Sequence, residues 1–113
     1  MTYIDGFVLA VPAKNRARYK AFATKYAKVF RAYGATRVVE AWGDDVPKGK
    51  WTDFFMVVKA KKGEAIVFAW VEWPSKKARN AGMKRIMAEP PPKSMPFDGK
   101  RMIFGGFATL LDI

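Results

Sequence analysis

The sequence predicts an α+β fold of βαββαβ order, an antiparallel four-stranded sheet with two helices on one face. Three observations support this. Hydropathy alternates between strand and helix periods in that order along the chain. At 113 residues the chain has the length of one domain, spanning 1–113, and not of two cores. Half of its residues are hydrophobic and 15% are aromatic, enough for a packed interior.

Tyr3 to Val11 is rich in β-branched and aromatic residues and stops at Pro12, as a first strand does. From Ala13 to Tyr33 the period changes. Tyr19, Phe22, Tyr26, Phe30 and Tyr33 recur three or four apart, with Lys14, Arg18, Lys25 and Lys28 opposite them. That pattern makes an amphipathic helix, closed by Gly34 at C′. Ala35 to Trp42 is a second strand ending in the turn cluster Gly43-Asp44-Asp45-Val46-Pro47. Trp51 to Val58 reads either as a short helix capped by Thr52 or Asp53 or as an irregular edge segment. Glu64 to Trp73 is the strongest strand pattern in the chain. Ser75 is a good N-cap for a second amphipathic helix reaching about Ala88, which Glu89-Pro90-Pro91-Pro92 ends. A loop through Met95 to Gly99 precedes a last strand expected over Met102 to Ile113. Two β-α-β halves of this kind are those of a ferredoxin-like domain.

Each strand is apolar in both of its alternating phases, which a sheet with one free face should not be. Sorted by size, the small phase (Gly6, Val8, Ala10; Val39, Ala41; Ala65, Val67, Ala69, Val71) is expected under the helices. The bulky phase (Tyr3, Phe7, Trp42, Phe68, Trp70) is then expected on the open face. A bulky apolar face calls for a cover. The expectation is a homodimer packed sheet face to sheet face; the alternative cover is the Trp51 to Val58 segment.

The chain has no cysteine and no histidine. Disulfides, thiol nucleophiles, Ser-His and Cys-His catalysis and imidazole metal or haem ligation are therefore excluded. No metal site and no cofactor are expected, and Gly105-Gly106 lacks the context of a phosphate loop, so close packing or a bulge accounts for it. The N-terminal residues lack the charged and apolar regions of a secretory signal. No apolar run approaches the roughly 20 residues of a membrane span, so a cytoplasmic protein is expected.

The opening Tyr3-Ile4-Asp5-Gly6-Phe7-Val8, the turn at Gly43 to Pro47, Trp73-Pro74-Ser75, and Met95-Pro96-Phe97-Asp98-Gly99-Lys100-Arg101-Met102-Ile103 follow one another in a recognisable order. In these the chain resembles the YbaA-like bacterial family, domain-of-unknown-function family 1428, within the dimeric α/β-barrel superfamily. The resemblance covers nearly the whole chain and is most specific from Met95 to Gly106. It implies a ferredoxin-like protomer in a dimer and supplies no reaction. The superfamily includes cofactor-independent oxygenases, haem-degrading enzymes and isomerases, among which fold alone does not choose.

Asp5, Glu40 and Glu72 fall in one expected phase beside Tyr3, Trp42 and Trp70. Carboxylates on an aromatic face have raised pKa values and suit a general base or a polar anchor, which makes these three the catalytic candidates. Ion pairing with Arg37, Lys100 or Arg101 is the structural alternative. Arg79, among Met83, Ile86 and Met87, suits a ligand carboxylate or, structurally, a nearby acid. Tyr3, Trp42 and Trp70 complete the ligand-binding candidates. With 21 Lys and Arg against 10 Asp and Glu, net +11, the helices carry a broad basic surface including Lys76, Lys77, Lys84 and Arg85. Two function classes follow: a protein that binds or transforms a small hydrophobic molecule in a pocket lined by sheet aromatics and carboxylates, or a non-enzymatic homodimer whose basic helices hold an anionic partner such as nucleic acid.

Overall fold

A computed structural model describes residues 1–113. The strands are β1 (Tyr3–Pro12), β2 (Arg37–Trp42), β3 (Glu64–Trp73) and β4 (Ile103–Ala108), and the helices are α1 (Arg16–Ala32), α2 (Phe54–Val57) and α3 (Lys76–Met87). The four strands form one antiparallel sheet in the order β2-β3-β1-β4, giving an α+β fold.

Local chemistry sets the helix ends. Gly34 takes a φ of 112°, and its N–H bonds the Arg31 carbonyl at 3.3 Å while Ala35 N–H reaches Phe30 at 3.0 Å, the two bonds of a Schellman ending. The Ser75 hydroxyl accepts from Ala78 N–H at 3.0 Å and caps α3. Between Trp51 and Val58 the chain forms α2, capped by Asp53 and not by Thr52: the Asp53 carboxylate accepts from Met56 N–H at 2.7 Å. These backbone bonds also hold the Asp53 carboxyl below its usual range.

The last strand is shorter than its composition suggests. β4 pairs with β1, and Ala108 lies opposite Tyr3, the first residue of β1; Thr109 N–H still reaches the Thr2 carbonyl at 3.2 Å, and the residues after it extend past the start of β1. Pairing of β4 with β1 is continuous from Ile103 to Ala108, so Gly105-Gly106 is a close-packing site and no bulge. A Cβ on Gly106 would lie 2.5 Å from the Tyr3 hydroxyl.

The register corrects the expected division of the faces. Directly opposed residues share a face, and the pairs are Gly6 with Trp70, Phe7 with Ala69, Val8 with Phe68 and Ala41 with Phe68. Small residues thus lie beside large ones across strands, not together on one side. Tyr3, Asp5, Phe7 and Leu9 of β1 and Val38, Glu40 and Trp42 of β2 join Val67, Ala69 and Val71 of β3 under α1 and α3. The opposite face carries Val8, Phe68, Trp70, Glu72, Ile103 and Phe107.

Two clusters make the helix-side core, one around Leu9, Tyr19 and Val67, the other around Trp73 with Ala35, Phe30, Met83 and Ile86. Trp73 is fully buried, a gain on the order of 3 kcal/mol for a side chain of this size. On the opposite face α2 covers one end, where Val58 and Phe55 pack on Ala10, Ile66 and Val8, and Phe54 meets Phe68 edge-on at 6.1 Å. The rest of that face is open: Phe68 is 47% and Phe107 62% exposed.

Candidate functional site

The site lies between α1 and the sheet. α1 points Tyr19, Ala23, Tyr26, Ala27 and Phe30 at the strands, and because two of these are alanine the helix leaves a void there. The cavity has a volume of about 110 Å³ and is lined by thirteen residues, of which Glu40 alone is charged. Phe97 and Met102 close it from the loop after α3. Phe97 stands edge-on to both Tyr19 and Phe22, with ring centres 5.7 Å apart in each case. Asn15 Nδ2 donates to the Pro96 carbonyl at 3.0 Å and ties that loop to the start of α1.

At the cavity wall Tyr19 Oη donates to Glu40 Oε1 over 2.6 Å. Glu40 sits on the outer strand and its residue surface is open to solvent, but its carboxylate is screened beside the Tyr19 ring. Burial of that end raises its pKa, and the Tyr19 hydroxyl offsets part of the rise. The Tyr19 hydroxyl is itself pushed far above the usual tyrosine range, first by burial and then by its bond to Glu40. Tyr19 therefore keeps its proton, and Glu40 is a carboxyl with raised proton affinity at the edge of an apolar void.

The cavity opens toward the β2 edge into a cleft of about 820 Å³. The two share Tyr19, Ala23, Ala27, Val38 and Glu40 as walls, and Trp42 and Val67 floor the outer part. The Arg16 guanidinium lies over the Trp42 ring, 5.2 Å from its centre.

The expected acidic group is dispersed. Glu40 and Trp42 come together at the cleft. Asp5 shares their face but is 4% exposed and occupied: Arg79 Nη2 donates to its Oδ1 at 2.8 Å and Trp73 Nε1 to its Oδ2 at 2.9 Å. Arg79 therefore packs against an acid, and it also lies over the Tyr3 ring at 5.2 Å. The Asp5 bond holds the Arg79 pKa above its ordinary value. Glu72 and Trp70 are on the opposite face, where Trp70 Nε1 donates to Glu72 Oε2 at 2.9 Å and Arg37 stands 3.5 Å from the same oxygen. Of the three candidate acids only Glu40 lines the cavity, because Asp5 is held by Arg79 and Trp73 and Glu72 lies on the other side of the sheet.

Arg101 pairs with none of the three acids expected. Its Nη1 and Nη2 donate to Glu64 at 2.7 Å each, and its Nε to Asp98 at 3.0 Å, fastening the cavity-closing loop to the start of β3. Tyr19 and Phe97 were not legible as site residues: one reads as part of a helix's apolar stripe and the other as a loop aromatic.

Residues 2–99 match the family model described as "Protein of unknown function (DUF1428)". The chain belongs to the DUF1428 family. It is also 52% identical over 116 residues to "Uncharacterized protein YbaA" of Escherichia coli K12, an alignment covering 99% of both chains. Proteins of the same name from Escherichia coli O157:H7 and Shigella flexneri match to the same extent. The matched span ends at Gly99, inside the loop that closes the cavity and that Asp98 and Arg101 anchor. No helix in this DUF1428 member is long and apolar enough to cross a membrane.

Proposed function

We propose that this DUF1428 member binds a small hydrophobic molecule between α1 and the sheet, with Glu40 and Tyr19 as the polar, proton-handling end of the site. The observation that carries the reading is the Tyr19–Glu40 pair set in the wall of an otherwise uncharged cavity. Ligand sites typically combine an apolar lining with a few convergent polar groups. An engineered void of roughly 150 Å³ admits benzene; at about 110 Å³ this cavity takes the tip of a ring or a branched alkyl end, leaving the body in the cleft.

The test is calorimetric titration of 2-naphthalenemethanol into the wild type and into Ala27→Phe, which fills the void from α1. Saturable binding to the wild type that weakens at least about tenfold in the variant supports the site. No binding, or equal binding by a variant with an unchanged circular dichroism spectrum, overturns it.

The same reading includes the protomer's assembly. Strand order β2-β3-β1-β4 with helices after β1 and β3 supports a ferredoxin-like protomer, and its open face supports pairing with a second copy. Phe68, Ile103 and Phe107 there are exposed together, and Glu72 and Arg37 neutralise one another on that face. Lys20, Lys25, Lys28, Lys76, Lys77 and Lys84 lie on α1 and α3, on the other side of the sheet from this apolar patch. Sedimentation equilibrium should show a dimer that Phe107→Lys converts to monomer; a wild type that sediments as a monomer at all concentrations rejects this part.

A further inference from the structure

The outer cleft differs from the inner cavity in charge. Lys14, Arg16 and Lys20 line it along the first turns of α1 and the segment before it. None of the three has an acidic partner: the chain's ion pairs are Arg37–Glu72, Arg79–Asp5, Arg101–Glu64 and Arg101–Asp98. The one carboxylate in the cleft, Glu40, already accepts the Tyr19 hydroxyl. Arg16 is also held in place, because its guanidinium stacks over Trp42, on the cleft floor. A guanidinium fixed on an aromatic ring keeps its N–H edge free for a planar anion and loses little side-chain freedom on binding it.

Charge and shape therefore run in one direction. The void under Ala23 and Ala27 is apolar and closed by Phe97, whereas the mouth offers three unpaired cations beside an aromatic floor. A wholly neutral ligand would leave those cations unmatched, and a strongly hydrated anion without a hydrophobic body would leave the void empty.

We infer that the ligand is an amphipathic carboxylate, an aromatic or branched-alkyl acid whose apolar end enters the cavity and whose carboxylate meets Arg16, with Lys14 and Lys20 adding to the field. This rests on the α1–sheet site proposed above. It assigns the cleft's basic residues to a small-molecule anion, not to a macromolecular surface. Arg16 and the Tyr19–Glu40 pair, linked through the Trp42 ring that lies 5.2 Å from the guanidinium and 6.5 Å from the Tyr19 ring, would then hold one molecule from adjacent positions.

The test compares 2-naphthoate with 2-naphthalenemethanol, which share a ring system and differ in charge, by calorimetry at low salt and at about 150 mM salt, where exposed charges are screened within about 8 Å. The wild type should bind the acid about tenfold more tightly than the alcohol at low salt, the scale of one charge-assisted hydrogen-bonding contact. That preference should shrink in salt and fall to about twofold or less in Arg16→Gln/Lys20→Gln, whose altered side chains are exposed. Equal binding of the two probes, a preference for the alcohol, or a preference that survives in the double variant overturns the assignment of the anion while leaving the pocket standing. Failure of both probes, or unchanged binding of both by Ala27→Phe, removes the pocket itself.

Discussion

Tyr19 on α1 donates its hydroxyl to Glu40 on β2 over 2.6 Å, a hydrogen bond between the helix and the sheet's outer strand. The bond stabilises the ionised carboxylate while burial opposes it, and burial wins. Tyr19→Phe removes the opposing effect and keeps the ring. Glu40 should then titrate at still higher pH, read from its carboxyl carbon by NMR, and the fold should lose about 1 kcal/mol. A midpoint that stays put or falls contradicts this account.

The raised pKa of Glu40 has a definite sign for stability. The folded chain keeps this proton at pH values where the unfolded chain has already lost it. The group therefore favours folding below the ordinary carboxylate range and loses that contribution as pH rises through the raised value. Glu40→Gln imitates the protonated form at every pH. Its urea-unfolding free energy should decline less with rising pH across that window than the wild type's does.

Arg101 acts in the opposite sense. It holds the Glu64 carboxyl below its ordinary range by direct hydrogen bonds and Asp98 likewise, so these groups stabilise the fold above the ordinary carboxylate pKa and cease to as pH falls through the lowered one. The Arg101 and Glu64 side chains are 14% and 7% exposed. Arg101→Ala should cost about 2 kcal/mol at neutral pH, free the Met95 to Met102 loop and flatten the acid limb of the stability profile. Faster proteolysis within that loop gives an independent readout.

Gly82 exists for Trp73. A Cβ at this position would lie 2.5 Å from Trp73 Cζ3 and 2.6 Å from the Tyr33 carbonyl oxygen, and neither a buried indole nor a backbone carbonyl has room to retreat. Gly82→Ala raises helix propensity, yet it should destabilise the protein by about 1 to 3 kcal/mol through overpacking. Near-ultraviolet circular dichroism should register a displaced tryptophan. A more stable variant would show that the α3–β3 contact is looser than described.

Asp5 is the one acid buried beneath the helices, and it is held by Arg79 and Trp73. Asp5→Ala leaves the guanidinium without its partner and the indole N–H without an acceptor, a loss of about 3 kcal/mol in denaturant unfolding. Asp5→Asn keeps an acceptor for the indole and should cost less. Arg79→Ala combined with Asp5→Ala should cost less than the sum of the two single changes; strict additivity would mean that the pair is not coupled.

Local chemistry in the sequence was enough to place most of the elements, though not the end of the last strand or the form of the Trp51 to Val58 segment. The strand over Glu64 to Trp73, the Gly34 ending of α1 and the Ser75 cap of α3 each depend on residues within a few positions, and each lies where the sequence puts it. The absence of histidine and cysteine likewise bounds the chemistry whatever the fold. The side of the sheet that meets the helices is a different kind of quantity. Both phases of every strand are apolar, so burying either yields a similar hydrophobic gain, and sorting them by size misplaced Tyr3, Phe7 and Trp42. The choice depends on register between strands far apart in the chain, which sets Gly6 opposite Trp70 and Ala69 opposite Phe7, and on Asp5 finding Arg79 across 74 residues. That register decided the site as well. It separated Glu72 from Asp5 and Glu40 and set Glu40 beside a helix tyrosine 21 residues earlier, because side-chain size and ion pairing act between strands, whereas alternation acts only along one.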